Sequence, residues 1–204
     1  NGDKFGRKER DIYAMEDRSI IDALPEADCR PDDVDTVIVT HLHFDHAGGL
    51  TRRPREGEPD RPILAFPNAR IVVQHQEWDD ALSNRSTMTR TYLRDHLTSE
   101  VAERLELPAS KAPIAWGGEG KAPDAAPAGT GTFFDYVEVL PGIDVFRVPG
   151  HTWGQQAVRI RAADGQTIVF TPDVMPTVHH ASGPYSMAYD VEPYVSGLMR
   201  AKYL

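Results

Sequence analysis

The sequence predicts a mixed α/β fold, and three observations carry that expectation. Short apolar runs such as Thr36–Thr40 and Ile143–Val148 have the length and composition of buried strands. Other stretches place apolar residues at helical spacing, as Ile20, Ile21 and Leu24 do within Ser19–Ala27. With 204 residues and 40% hydrophobic content, the chain is long enough to bury one sizeable core. No internal repeat is present, so a single domain over residues 1–204 is expected.

In chain order, Ser19–Ala27 reads as a short helix and Pro31-Asp32-Asp33 as a turn. Thr36–Thr40 is then a buried strand, and residues 51–62, rich in Arg, Pro and Glu, form a loop. Ala69–Gln74 is a second strand, followed by a helix through Trp78 and Leu82. Thr89–Leu105 is expected to be a longer helix, with Tyr92, Leu93, Leu97, Val101 and Leu105 on its core face and His96 on its solvent side. Residues 106–132 break the rhythm with repeated Pro and Gly, the pattern of a lid or a poorly ordered loop. Trp116 within it covers a substrate pocket, contacts a second subunit or simply packs. Phe133–Leu140, Ile143–Val148, Ala157–Arg161 and a buried Thr167–Thr171 are successive strands, and Val191–Leu204 is a terminal helix.

The chemistry is concentrated directly after the first strand, where the chain reads His41-Leu42-His43-Phe44-Asp45-His46. Side chains two apart in extended backbone share a face, so His41 and His43 can aim two imidazoles at one ion. Asp45 and His46, beyond the strand end, can turn toward a second ion. Nitrogen and carboxylate donors suit Zn²⁺ first, with Mn²⁺, Fe²⁺ or Co²⁺ as alternatives. Two later segments add donors. His151 follows a strand in the Pro149-Gly150 turn, and Asp173 stands at the end of Thr167–Thr171 after Pro172.

These residues resemble the metallo-β-lactamase-fold metallo-hydrolases. The His-x-His-x-Asp-His box, the following Ala47-Gly48-Gly49-Leu50, the Gly-His-Thr segment and the strand-Pro-Asp segment occur in that family's order across most of residues 32–175. The box and Ile71-Val72-Val73-Gln74 look most like the branch of quorum-quenching lactonases and methyl-parathion-type hydrolases. The resemblance implies a four-layer αββα sandwich with a dinuclear metal site. It implies that His41, His43 and His151 hold one metal, that Asp45 and His46 hold the other, and that Asp173 bridges them. The implied reaction uses a metal-bound hydroxide on a small ester, lactone or phosphotriester, with Asp45 orienting the nucleophile and protonating the leaving group. Phe44, Trp116, Trp153, Met175 and Tyr185 are the expected substrate-pocket residues. The alternative is a non-catalytic or regulatory metal-binding module on the same fold.

The chain also departs from that pattern. Pro176 stands where the lactonases tend to carry a tyrosine, Trp153-Gly154 replaces a Pro-Gly pair, and no later histidine matches the family's final ligand. His179 and His180 follow Asp173 too closely for that role and are read as loop residues near the pocket. The chain opens on Asn1 with no initiator methionine and few residues precede the box. The expectation is therefore an internal portion of a longer protein, incomplete at both termini, with a weakly held second metal and exposed sheet edges. A net charge of −9 and the dilution of Arg52-Arg53-Pro54-Arg55 by Glu56 and Glu58 argue against a nucleic-acid partner. No apolar run approaches the length of a membrane span. A small-molecule substrate and, at most, a second copy in a homodimer are the expected partners. The lone Cys29 excludes an internal disulfide and is read as a structural thiol.

Overall fold

A computed structural model describes residues 2–86, 91–113 and 133–202. They group into two compact units, Asn1–Val72 with Thr89–Glu106, and Val73–Met88 with Leu107–Leu204.

The first unit is built on a parallel three-stranded sheet. Its strands are β1 (Thr36–Ile38), β4 (Arg70–Val72) and β5 (Leu105–Glu106), in the order β1-β4-β5. Val37 pairs with Ile71, and Ile71 pairs with Leu105. A separate antiparallel pair, β2 (Thr51–Arg52) and β3 (Ile63–Leu64), encloses the Arg/Pro/Glu-rich loop. The expected helix at Ser19 forms at Ile20–Ala23 and tightens into a 3₁₀ turn at Leu24–Ala27. A capping box starts it: the Ser19 hydroxyl accepts from Asp22 N, and the Asp22 carboxylate accepts from Ser19 N. Its Ile21 and Leu24 pack with Val34 and Val37 against Ala65, Phe66 and Ala69.

The helix expected over Thr89–Leu105 does not form as one element. Leu93 is extended, a 3₁₀ turn spans Arg94–His96, and a short helix spans Ser99–Ala102. Two competing interactions explain the break. The Thr98 hydroxyl caps the short helix by accepting from Val101 N, which makes residue 98 a start rather than an interior. Leu105 is drawn into sheet pairing beside Ile71, a tertiary demand that overrides its helical spacing. His96, expected on a solvent face, is fully buried.

The second unit carries an antiparallel sheet in sequential order: β6 (Val137–Leu140), β7 (Ile143–Arg147), β8 (Gln156–Arg161) and β9 (Thr167–Phe170). The β6–β7 turn uses Gly142 at φ +77, where a side chain would be strained. Phe146 and Ala157 face each other across β7 and β8 and join Phe134, Val148, Val174, Val195 and Met199 in the core. Among the described residues of this unit are two α-helices, His75–Leu82 and Pro193–Arg200. The second is the expected terminal helix, with Pro193 in its first turn, where the missing N–H costs nothing. The expectation of a buried Thr167–Thr171 strand is corrected. All four residues of β9 are exposed, Ile168 and Phe170 at 58% each. Among the described residues β9 pairs only with β8, so it forms an edge of this sheet. Among the described residues, no helix is long and apolar enough to cross a membrane.

Candidate metal centre

In the first unit, the backbone itself aims the histidine box. Val39 N donates to Val72 O beyond the last residue of β1, so the chain stays pinned to the sheet as it reaches His41. Residues 39–43 are buried, and a short helix, Phe44–Ala47, begins at once. The His43 carbonyl accepts from both His46 N (3.0 Å) and Ala47 N (2.8 Å), which fixes the turn. The result is a cluster of three imidazoles. The ring centroids of His41 and His43 are 4.7 Å apart, and those of His41 and His46 are 4.0 Å apart. His41 and His43 are buried, and His46 is half-buried. The Thr40 hydroxyl meets His41 Nδ1 at 3.2 Å, and Tyr92 packs its ring 5.1 Å from that of His43. The Asp45 carboxylate is exposed, with Oδ2 3.5 Å from His46 Nε2.

In the second unit, His151 sits in the turn between β7 and β8. Gly150 adopts φ +141, and a Cβ there would crowd the backbone and hydroxyl of Ser196. Gly154 is equally constrained, because a Cβ would lie within 3.0 Å of the Glu77 backbone. Only glycine lets the first turn of the His75–Leu82 helix press against this loop. There the buried Glu77 accepts from the Thr152 hydroxyl at 2.6 Å. His151 itself is fully buried. Its Nδ1 lies 2.9 Å from Asp190 Oδ1 and its Nε2 lies 3.5 Å from Asp173 Oδ2. Asp173 follows β9 in a turn closed by Met175 N donating to Pro172 O. The buried Arg200 braces that turn by donating to the Val174 carbonyl at 3.0 Å. Close by, burial raises the Asp80 pKa and lowers that of Arg147, whose guanidinium donates to the Trp153 carbonyl.

Each unit therefore brings together part of the predicted donor set: His41, His43, His46 and Asp45 in one, His151 and Asp173 in the other. The donors are imidazole nitrogens and carboxylates, the set that binds Zn²⁺ and related divalent cations. The predicted pocket residues are dispersed. Phe44 stacks with Phe5 (5.4 Å) and Tyr13 (5.3 Å), and Met175 packs against the core of its unit. The Arg85 guanidinium lies over the half-buried Trp153 ring, while Tyr185 is exposed. Trp116 lies outside the described residues. His179 is exposed, and His180 Nδ1 is engaged by the Thr177 hydroxyl at 2.9 Å. Asp190, Thr40 and Glu77 were not singled out by sequence reasoning. Thr40 adjoins the box and was open to inspection, whereas Asp190 and Glu77 have no local signal.

Residues 6–55, which contain the histidine box, match the Metallo-beta-lactamase superfamily profile. An N-acyl homoserine lactonase of Bacillus thuringiensis is 29% identical over 188 residues, 92% of this chain and 57% of the relative. The chain thus spans little more than half the length of the curated relatives it matches. The crystal structure of a probable metal-dependent hydrolase from Staphylococcus aureus superposes with a TM-score of 0.75 at 27% identity, covering 98% of this chain and 60% of its own. AidC, a dizinc quorum-quenching lactonase, shares the fold at a TM-score of 0.64 and 15% identity, over 93% of this chain and 59% of that one. The similarity is thus to the metallo-β-lactamase superfamily, both in the segment carrying the box and in a mixed α/β fold. Its homologues are N-acyl homoserine lactonases, and its structural neighbours are metal-dependent hydrolases and lactonases.

Proposed function

We propose that this chain forms the metal-binding part of a hydrolase that opens a small lactone or ester. His41, His43 and His151 hold one divalent cation in this reading. Asp45 and His46 hold a second, and Asp173 serves both. The observations that carry the proposal lie within each unit: in the first, the buried His41 and His43 rings cluster with the half-buried His46, and in the second, the fully buried His151 turns Nε2 to within 3.5 Å of the Asp173 carboxylate. The reading treats both units as parts of one domain. Divalent cations bound there supply a Lewis acid that activates water and polarises a carbonyl or phosphoryl oxygen.

The chain's own residues do the rest. Thr40 holds the His41 ring through Nδ1 and so helps to fix its orientation. In this reading the exposed Asp45 carboxylate, beside His46, orients the attacking nucleophile and later protonates the leaving oxygen. Zn²⁺ is the favoured metal, and N-acyl homoserine lactones are the first substrates to assay because the relatives carry that name. Phosphotriesters are the second class. Metal analysis of the purified protein, with a panel of acyl homoserine lactones, aryl esters and phosphotriesters, tests the proposal. Bound metal with chelator-sensitive turnover of one class supports it. A metal-free protein inert after Zn²⁺ addition refutes it and leaves the non-catalytic module as the reading.

A further inference from the structure

Asp190 lies 39 residues beyond His151, in a turn ahead of the last helix, yet it makes a short contact to that ring. Both side chains are fully buried, and Asp190 Oδ1 sits 2.9 Å from His151 Nδ1. The second carboxylate oxygen accepts from Met187 N at 3.3 Å, which fixes the plane of the group. The same segment is bound along the histidine turn by two backbone hydrogen bonds, Val191 N to His151 O (3.2 Å) and Glu192 N to Gly150 O (2.7 Å). The carboxylate is therefore held by the main chain and not by a flexible loop.

An ionised carboxylate can only accept hydrogen bonds, so the short contact requires the proton of a neutral His151 to sit on Nδ1. Nε2, the nitrogen on the Asp173 side, then keeps its lone pair. We propose that Asp190 is a positioning residue that locks His151 in the Nδ1–H tautomer, presenting Nε2 as a ready-made, electron-rich donor for a divalent cation. This rests on the reading of His151 as a metal ligand. A carboxylate behind a ligating imidazole both orients the ring and raises its basicity, and removing such partners typically lowers metal affinity by about 10–100-fold.

A purely structural Asp190, serving only to close the Met187 turn, would predict different behaviour. The discriminating measurements are ¹⁵N-detected imidazole spectra of the metal-free protein and Zn²⁺ affinity by chelator competition. Both are made on the wild type, Asp190→Ala and Asp190→Asn, with folding checked by circular dichroism. The wild type should show His151 as the Nδ1–H tautomer. Asp190→Ala should shift the ring toward Nε2–H and weaken Zn²⁺ binding by ~10–100-fold. Asp190→Asn, which keeps an acceptor oxygen but loses the charge, should keep the tautomer and recover part of the affinity. A wild-type Nε2–H tautomer, or variants that fold and bind Zn²⁺ as tightly as the wild type, would overturn the proposal. Should Asp190→Ala fail to fold, Asp190→Asn decides: unchanged affinity overturns the proposal and a loss supports it. A wild type that binds no Zn²⁺ refutes the functional reading instead, while the tautomer spectra still report on Asp190.

Discussion

His96 should make the protein lose stability between pH 6.5 and 4. Its side chain is fully buried in the first unit, and neither ring nitrogen has a hydrogen-bond partner among the described residues. Burial lowers its pKa from 6.5 to about 4, and the nearby Lys4 ammonium pushes in the same direction while Asp3 opposes it. The unfolded ring therefore binds a proton at higher pH than the folded one. Stability is complete above pH 6.5 and falls as pH drops toward 4, at ~1.36 kcal/mol per pH unit and roughly 3 kcal/mol in all. Replacing His96 with Leu removes both the titration and the two unsatisfied nitrogens at similar volume. The assay is urea unfolding of both proteins at pH 7.5, 6.5, 5.5 and 4.5, with slopes checked for equality. Carboxylates titrate in both proteins and cancel in the difference. His96→Leu should match or exceed the wild type at pH 7.5 and gain on it by roughly 2–3 kcal/mol at pH 4.5. Parallel pH profiles would show that His96 is hydrated or protonated in the native state and would refute the reasoning.

Asp173→Ala should abolish measurable turnover and lower metal content, because one carboxylate is lost from both proposed ions; metal analysis and a lactone assay check this together. Chelation of a metal-loaded sample should lower the melting temperature, and Zn²⁺ should restore it in a concentration-dependent way, since ligand bound only to the folded state stabilises it. Gly154→Ala forces a methyl group into the Glu77 backbone and should cost roughly 1–3 kcal/mol in urea unfolding. A neutral result there would mean that the loop and the His75–Leu82 helix part easily.

What could be read from the sequence was local. The strand at Thr36 and the turn of the histidine box follow from an apolar run that ends at His41, and from the alternation of side chains in extended backbone. The short helix at Ser19 was likewise read from the local spacing of Ile20, Ile21 and Leu24. The Thr89–Leu105 stretch failed for a complementary reason. Its apolar residues have helical spacing, but Thr98 offers a cap in the middle and Leu105 is claimed by a sheet neighbour 34 residues earlier. A periodicity argument sees neither competitor. The error also displaced His96, because a solvent face was assigned from a helix that does not exist.

The candidate site divides along the same line. Its candidate donors are chemically conspicuous, and His41, His43, Asp45, His46, His151 and Asp173 were singled out by residue type and by position at or just beyond strand ends. Their supports were not. Asp190 is one of many acidic residues, and nothing within several positions of it marks a partner 39 residues away. Glu77 looks like a solvent-facing residue in the first turn of a helix, yet it is buried against Thr152 because Gly154 lets the backbones approach. A candidate metal centre of this kind therefore hides half of its construction from sequence. The donors announce themselves, while the groups that set their tautomer and aim emerge only when distant segments fold together. Asp190 is the sharpest case, since a change that leaves every predicted donor in place should still weaken the site.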